Sequence, residues 1–158
     1  MPDLLTHALV AYVFAVAATY AGRLDDRYVP VVMVGGVAPD VMKLAVVLDR
    51  SAGVIAGVPY SAWGIHTLGG VVVLAGVGAL TIRARDRWTA VAALAAGGVC
   101  HLLFDTLVIR VDGTAPPYLF PLSTWLPPAG NLYASTDVWP TALALAVAVP
   151  VWLWRRGR

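Results

Sequence analysis

Five apolar stretches, parted by polar breaks, leave this chain little choice of fold. They run approximately Leu4–Ala21, Val29–Leu48, Gly64–Ile82, Trp88–Val111 and Val138–Trp154, close to the roughly 20 residues that a helix needs to cross a bilayer. Hydrocarbon offers no partner to a bare backbone N–H or C=O, so such segments satisfy themselves as helices. The expected fold class is all-α, a polytopic integral membrane helix bundle of about five transmembrane segments, with residues 1–158 as one membrane-embedded domain. The composition agrees: 13% of residues are charged, about half the usual share in soluble domains.

The second stretch is the least regular, because Gly35, Gly36 and Pro39 fall in its middle. Glycine loosens a helix and proline removes a backbone bond, so this segment is expected to be kinked or broken beside Asp40. The first stretch is read as an uncleaved helix, since Met1–Thr6 carries Asp3 and no basic residue where a signal peptide needs a positive start. The single cysteine, Cys100, excludes an internal disulfide. A net charge of +2, scattered along the chain, gives no sign of a nucleic-acid partner.

Arginine sets the orientation. Arg23, Arg27, Arg83, Arg85, Arg87, Arg155, Arg156 and Arg158 fall on one side of a five-span chain, and only Arg50 and Arg110 on the other. The positive-inside rule places the larger group in the cytoplasm. The N-terminus and the loops around Asp49–Trp63 and Asp112–Asp137 then face outward from the plasma (inner) membrane, and the C-terminus is cytoplasmic.

All three histidines, and the only two carboxylates inside the apolar stretches, share a depth on this topology. His7 and His66 open helices that start outside. Asp40, His101 and Asp105 come late in helices that start inside, roughly 18 to 26 Å from their cytoplasmic ends. An ionisable group at mid-membrane costs about 3 kcal/mol or more, so five together need partners or a task. Holding a metal ion is the most economical task. In His101-Leu-Leu-Phe-Asp105 the two polar side chains stand one turn apart on one helix face, a spacing by which two ligands reach one ion. Imidazole and carboxylate without thiolate suit zinc, manganese or iron, and argue against a purely structural zinc site.

Other residues carry open alternatives. Lys43 either pairs with Asp40, meets an anionic substrate, or snorkels to the membrane surface. Thr6, Thr67 and Thr106 each adjoin one of the five and are candidates to hydrogen-bond the ligands, with coincidence the plainer explanation. Cys100 points away from His101 and reads as a packing residue. The loop Asp112–Asp137, with five prolines and the aromatics Tyr118, Phe120, Trp125 and Tyr133, is either an interfacial anchor or a lid that admits a lipid head group. Gly69-Gly70 and Gly97-Gly98 read as close helix contacts.

In their order, Thr6-His7-Ala-Leu, Gly35-Gly-Val-Ala-Pro39-Asp40, His66-Thr67, His101-Leu-Leu-Phe-Asp105-Thr106 and the later Phe120-Pro121-Leu122 resemble the YdjM-like family. Its members are described as membrane-bound metal-dependent hydrolases and as LexA-binding inner-membrane proteins. The resemblance covers most of the chain and implies hydrolysis at a divalent metal. A distant similarity to the zinc phospholipase C and single-strand nuclease group implies phosphoester substrates. Trp63-Gly-Ile-His66 departs from the family's third motif, which often has a second His or an Arg before its His-Thr/Ser pair. That departure speaks against a second metal.

The expected function is therefore a hydrolase acting on a phosphoester of a lipid or other membrane-associated substrate through a metal-activated water. His7, His66, His101 and Asp105 are the expected ligands of one divalent ion, zinc by preference. Asp40 is a further ligand or the general base, and Lys43 is the second catalytic candidate. The rival reading is a proton or metal-ion transporter, because broken helices and intramembrane His/Asp sets also mark ion pathways. A transporter needs polar residues through the inner half too, and here that half is almost all Ala, Val, Leu and Gly. A non-catalytic scaffold that binds a partner through its loops is a third possibility.

Overall fold

The structure, a computed structural model, describes residues 4–157. Asp3, on which the reading of the N-terminus leans, and Arg158, one of the arginines counted above, lie outside the described residues. The chain is mostly helical, as its apolar runs require. α1 spans Leu4–Tyr20, α2 Val29–Val37, α3 Met42–Val47, α4 Leu68–Ala79, α5 Arg87–Asp105 and α6 Trp139–Arg156.

Local sequence sets these boundaries. α1 stops at Gly22, whose φ of +67° closes the helix with bonds back to Thr19 and Ala18. α2 opens with Pro30 in its first turn, where a missing N–H costs nothing. The expected break in the second stretch is a 3-10 segment, Ala38–Val41, between α2 and α3. Thr67 caps α4, its hydroxyl accepting from the Gly70 N–H.

Two helix boundaries are corrected. The third apolar stretch becomes helical only at Leu68, so His66 sits in a 3-10 turn, Ala62–His66, ahead of α4. The fourth helix ends at Asp105, where the chain turns instead of running on to Val111. The mostly helical chain also carries one short hairpin that was not expected: β1 (Ala52–Ile55) and β2 (Val58–Ser61) pair antiparallel, Ala52 opposite Ser61. Ala56 and Gly57 both have positive φ between them, the backbone that a two-residue hairpin turn demands.

Two helical stretches, Asp26–Val47 through its bend and Ala84–Asp105, are long and apolar enough to cross a membrane. Leu4–Tyr20 and Leu68–Ala79 are apolar but shorter. α6 has comparable length but is diluted by Pro150, three tryptophans and two arginines. Large apolar side chains such as Val34, Leu44, Val72, Val77, Leu103 and Leu143 stand exposed. Helices greasy on all sides in so small a bundle match lipid surroundings.

α5 packs along both α2 and α4, α1 lies on α2, and α6 lies on α1. Small residues make the inner contacts: Ala11, Ala15, Ala79, Ala90 and Ala93 are all buried in one cluster with Val16 and Val32. A side chain at Gly97 would run into the α2 backbone at Val32 and Gly36, and one at Gly35 into the backbone of Leu94. Gly98 faces Val71 of α4, so Gly97-Gly98 is a helix contact as expected. Gly69-Gly70 is not. It meets Pro121, Phe120 and its own preceding turn, because the long loop folds down onto the start of α4.

The two ends of the bundle differ in kind. At one end Arg27 pairs with Asp25 and Asp86, and Arg155 reaches Asp26 at 2.9 Å. The breaks that follow α1 and α4 and the end of α6 are thereby gathered together. The five ionisable residues lie toward the opposite end.

Candidate metal centre

Each of the five residues arrives from a separate structural cause. His7 is in the first turns of α1, and His101 and Asp105 occupy the last turn of α5. The 3-10 break presents Asp40, and the turn before α4 presents His66. All five are buried, none more than 3% exposed.

Asp105 lies at the middle. Its Oδ1 is 3.2 Å from His7 Nε2, and its Oδ2 is 2.9 Å from His66 Nε2 and 3.6 Å from His101 Nε2. Asp40 Oδ1 approaches His101 Nε2 at 3.8 Å, while its Oδ2 is held by Lys43. The Lys43 stem reaches the surface, so of the alternatives for this residue the structure shows the ion pair with Asp40. The His7 and His101 rings stack at 3.7 Å, with the His66 ring edge-on to His101 at 4.9 Å.

One hydrogen bond fixes how the centre is aimed. His101 Nδ1–H donates to the carbonyl of Gly36 at 2.7 Å, which leaves Nε2 as the nitrogen with a free lone pair facing the carboxylates. Sequence reasoning missed this carbonyl. The available signal was Pro39, which has no N–H to offer a carbonyl in the preceding turn.

His7 Nε2 and Asp105 Oδ1 face each other at 3.2 Å, and Asp40 Oδ1 and His101 Nε2 at 3.8 Å, yet none of these four buried atoms makes a well-formed hydrogen bond. Buried polar atoms so imperfectly matched are costly, and a shared cation would satisfy them together. The residues present fit a cation. Two sets of three offer atoms close enough to share one ion: His7, Asp40 and His101; and His66, His101 and Asp105. Both draw on His101, whose Nδ1 is already engaged.

The proposed hydrogen-bonding threonines divide. Thr67 and Thr106 hydroxyls donate to backbone carbonyls of Gly64 and Leu103, so in these two the adjacency to ligands is coincidence. Thr6 is fully buried, its hydroxyl 2.6 Å from that of Thr141 on α6.

The profile of the YdjM inner membrane protein family matches residues 1–158, the whole chain. This protein belongs to the YdjM inner membrane protein family. No curated protein and no solved structure matches it.

In this YdjM-family chain the long loop covers the centre. Leu68 and Gly69 N–H groups donate to the carbonyls of Tyr118 and Phe120, and Tyr133 donates its hydroxyl to the Phe104 carbonyl at 2.8 Å. Ala115, Tyr118 and Tyr133 are buried, whereas Leu122, Trp125 and Leu126 stand exposed. The loop has a buried root against the start of α4 and an exposed apolar tip. The Tyr118 ring lies 6.0 Å from that of His66. Burial and then the Asp105 carboxylate push the phenols of Tyr118 and Tyr133 above their usual range, keeping both as hydrogen-bond donors. A cleft of about 510 Å³ between loop and bundle, lined by Trp63, His66, Thr67, Pro116, Pro117 and Phe120, leads to His66.

Proposed function

We propose that this protein is a membrane-bound metal-dependent hydrolase acting on a phosphoester of a lipid or other membrane-associated substrate. The observation that carries the reading is the convergence of four buried polar atoms, from His7, Asp40, His101 and Asp105, that face one another without a well-formed hydrogen bond. His7, His66, His101 and Asp105 would hold one divalent ion, zinc by its preference for imidazole and carboxylate. Such an ion, when bound, supplies a Lewis acid that brings the pKa of a water toward about 7.

The chain's own residues supply the rest. The Gly36 carbonyl locks the His101 ring in the orientation and tautomer that the centre needs. Asp40 is farthest from the other donors and is held on one oxygen by Lys43, which leaves Oδ1 to take a proton. Lys43 holds that carboxylate in place. The cleft at His66 gives access, and the capped loop root limits water.

The arginine distribution supports the remaining detail: about five membrane segments, the site and N-terminus outside, the C-terminus cytoplasmic. The apolar cluster beyond the site, with Ala11, Ala15, Val32 and Ala93 packed tightly, favours a one-sided site over a conduction path.

Elemental analysis of protein purified in detergent without chelator tests the centre, and about one divalent ion per chain is expected. A panel of phospholipids and other membrane-associated phosphoesters tests the chemistry. Chelator-sensitive cleavage is expected. Stoichiometric absence of metal after add-back, or metal-dependent ion flux in sealed vesicles without hydrolysis, refutes the hydrolase.

A further inference from the structure

Arg110 takes no part in the centre as described, and its setting is unusual for an arginine. It is one of only two arginines on the side of the chain opposite the arginine-rich end. Its Nε is buried without a hydrogen-bond acceptor. Among the described residues no carboxylate lies within ion-pair distance of it, and the groups it interacts with electrostatically are the phenols of Tyr118 and Tyr133.

Tyr118 has the matching defect. It is 6% exposed, yet its hydroxyl has no well-formed hydrogen bond, although the Arg110 guanidinium lies beside it. Its ring tilts against His66 at 6.0 Å, and the Asp105 carboxylate is near enough to act on the phenol. The order across the site is therefore Asp105 and His66, then Tyr118, then Arg110.

The buried Arg110 Nε and the Tyr118 hydroxyl are adjacent donors that lack a well-formed acceptor beyond their own mutual approach, and the charge on one of them favours an acceptor that carries negative charge. A carbonyl or water would satisfy the hydrogen bonds without meeting the positive charge of the partly exposed guanidinium. An oxyanion does both. Asp105 cannot serve, because it is already surrounded by three histidines.

We propose that Tyr118 and Arg110 form an oxyanion-recognition arm beside the metal centre, donating hydrogen bonds to the non-bridging oxygens of a phosphoryl group that lies against Asp105 and His66. The arm rests on the phosphoester reading above and narrows it: the substrate is one whose phosphoryl group carries negative charge. Tyr118 supplies a neutral donor and Arg110 the charge. Both come from the long loop and the turn that follows α5, so the segment that caps the site also reads the substrate.

The test uses the full chain in detergent, loaded with zinc, and inorganic phosphate as probe, titrated calorimetrically. Tyr118→Phe keeps the ring against His66 and deletes only the hydroxyl; Arg110→Gln keeps a polar group of similar length. Phosphate affinity is expected to fall about tenfold for the first and about tenfold or more for the second, in line with charged hydrogen bonds, while zinc content stays at the wild-type level. Unchanged phosphate affinity in both variants overturns the arm, as does zinc-loaded wild type that binds no phosphate. Loss of zinc in both variants also overturns it, because the residues would then be structural. If the wild type takes no zinc but its phosphate binding still depends on both residues, the metal-centred function fails and the arm stands. Competition by dihexanoyl phosphatidic acid assigns the source of the phosphoryl group: displacement well below the phosphate Kd marks a lipid head group, and displacement at or above it marks a soluble phosphate.

Discussion

Replacing Gly97 with alanine adds one methyl group where α5 crosses α2 most closely. The new carbon would overlap the Val32 carbonyl and stand 2.6 Å from the Gly36 nitrogen and 2.9 Å from the Gly35 carbonyl carbon. All three are backbone atoms, so no rotamer change relieves the clash and the helices must part. Overpacking costs about 1–3 kcal/mol, and a rigid neighbour puts Gly97→Ala at the upper end. Alanine's helix propensity returns about 1 kcal/mol, for a net loss near 2 kcal/mol. Gly76→Ala is the control: nothing lies within 4 Å of its added carbon, so only the gain of up to about 1 kcal/mol remains. Reversible unfolding in mixed micelles should separate the two variants by about 3 kcal/mol. Gly97→Ala should also lose bound metal, because Gly36 holds the His101 ring and His101 follows Gly97 by one turn. Equal stability of the two variants, with full metal content in both, would refute the close-crossing argument.

Other consequences can be measured separately. His101→Ala and Asp105→Ala should each remove most metal, and the double variant should be little worse than either, because residues acting as a unit are non-additive; additive losses on elemental analysis would separate them. In a Cys100→Ala background, Ser123→Cys should react with an impermeant thiol reagent in intact cells and Arg85→Cys should not, and the reverse pattern inverts the proposed orientation. Tyr133→Phe removes a hydroxyl bonded to the Phe104 carbonyl in a site 1% exposed. It should lower Tm by about 2–4 °C, the equivalent of roughly 1 kcal/mol, with metal content unchanged.

The five clustered residues were legible because they are almost the only ionisable groups in the apolar stretches, so a depth argument needed no side-chain geometry. Pro39 likewise announced the break at Asp40. The hairpin was not legible: Val54 and Ile55 are apolar and adjacent, and both strands are too short and too exposed for an alternating pattern to emerge. His66 was assigned to a helix because the residues around it are as greasy as α4, and only the Thr67 cap marks the true start. Lys43 was undecided because a three-residue offset permits an ion pair without requiring it. The Gly36 carbonyl and the Arg110–Tyr118 pairing depend on long-range packing, on which local periodicity is silent.

α4 has 12 residues, a length of about 18 Å against a hydrocarbon thickness of about 30 Å. If this segment crosses the membrane as proposed, lipid beside it meets a hydrophobic wall far shorter than its own bilayer. The loop root that sits on Leu68 and Gly69 fills the shortfall with polar backbone. Such a mismatch is relieved by thinning the bilayer or tilting the helix, at fractions of a kcal/mol per Å. The thinnest point would then lie beside His66, where head groups sink toward the cleft. Bilayer thickness thereby becomes a variable of the protein, one that lipid chain length alone can change.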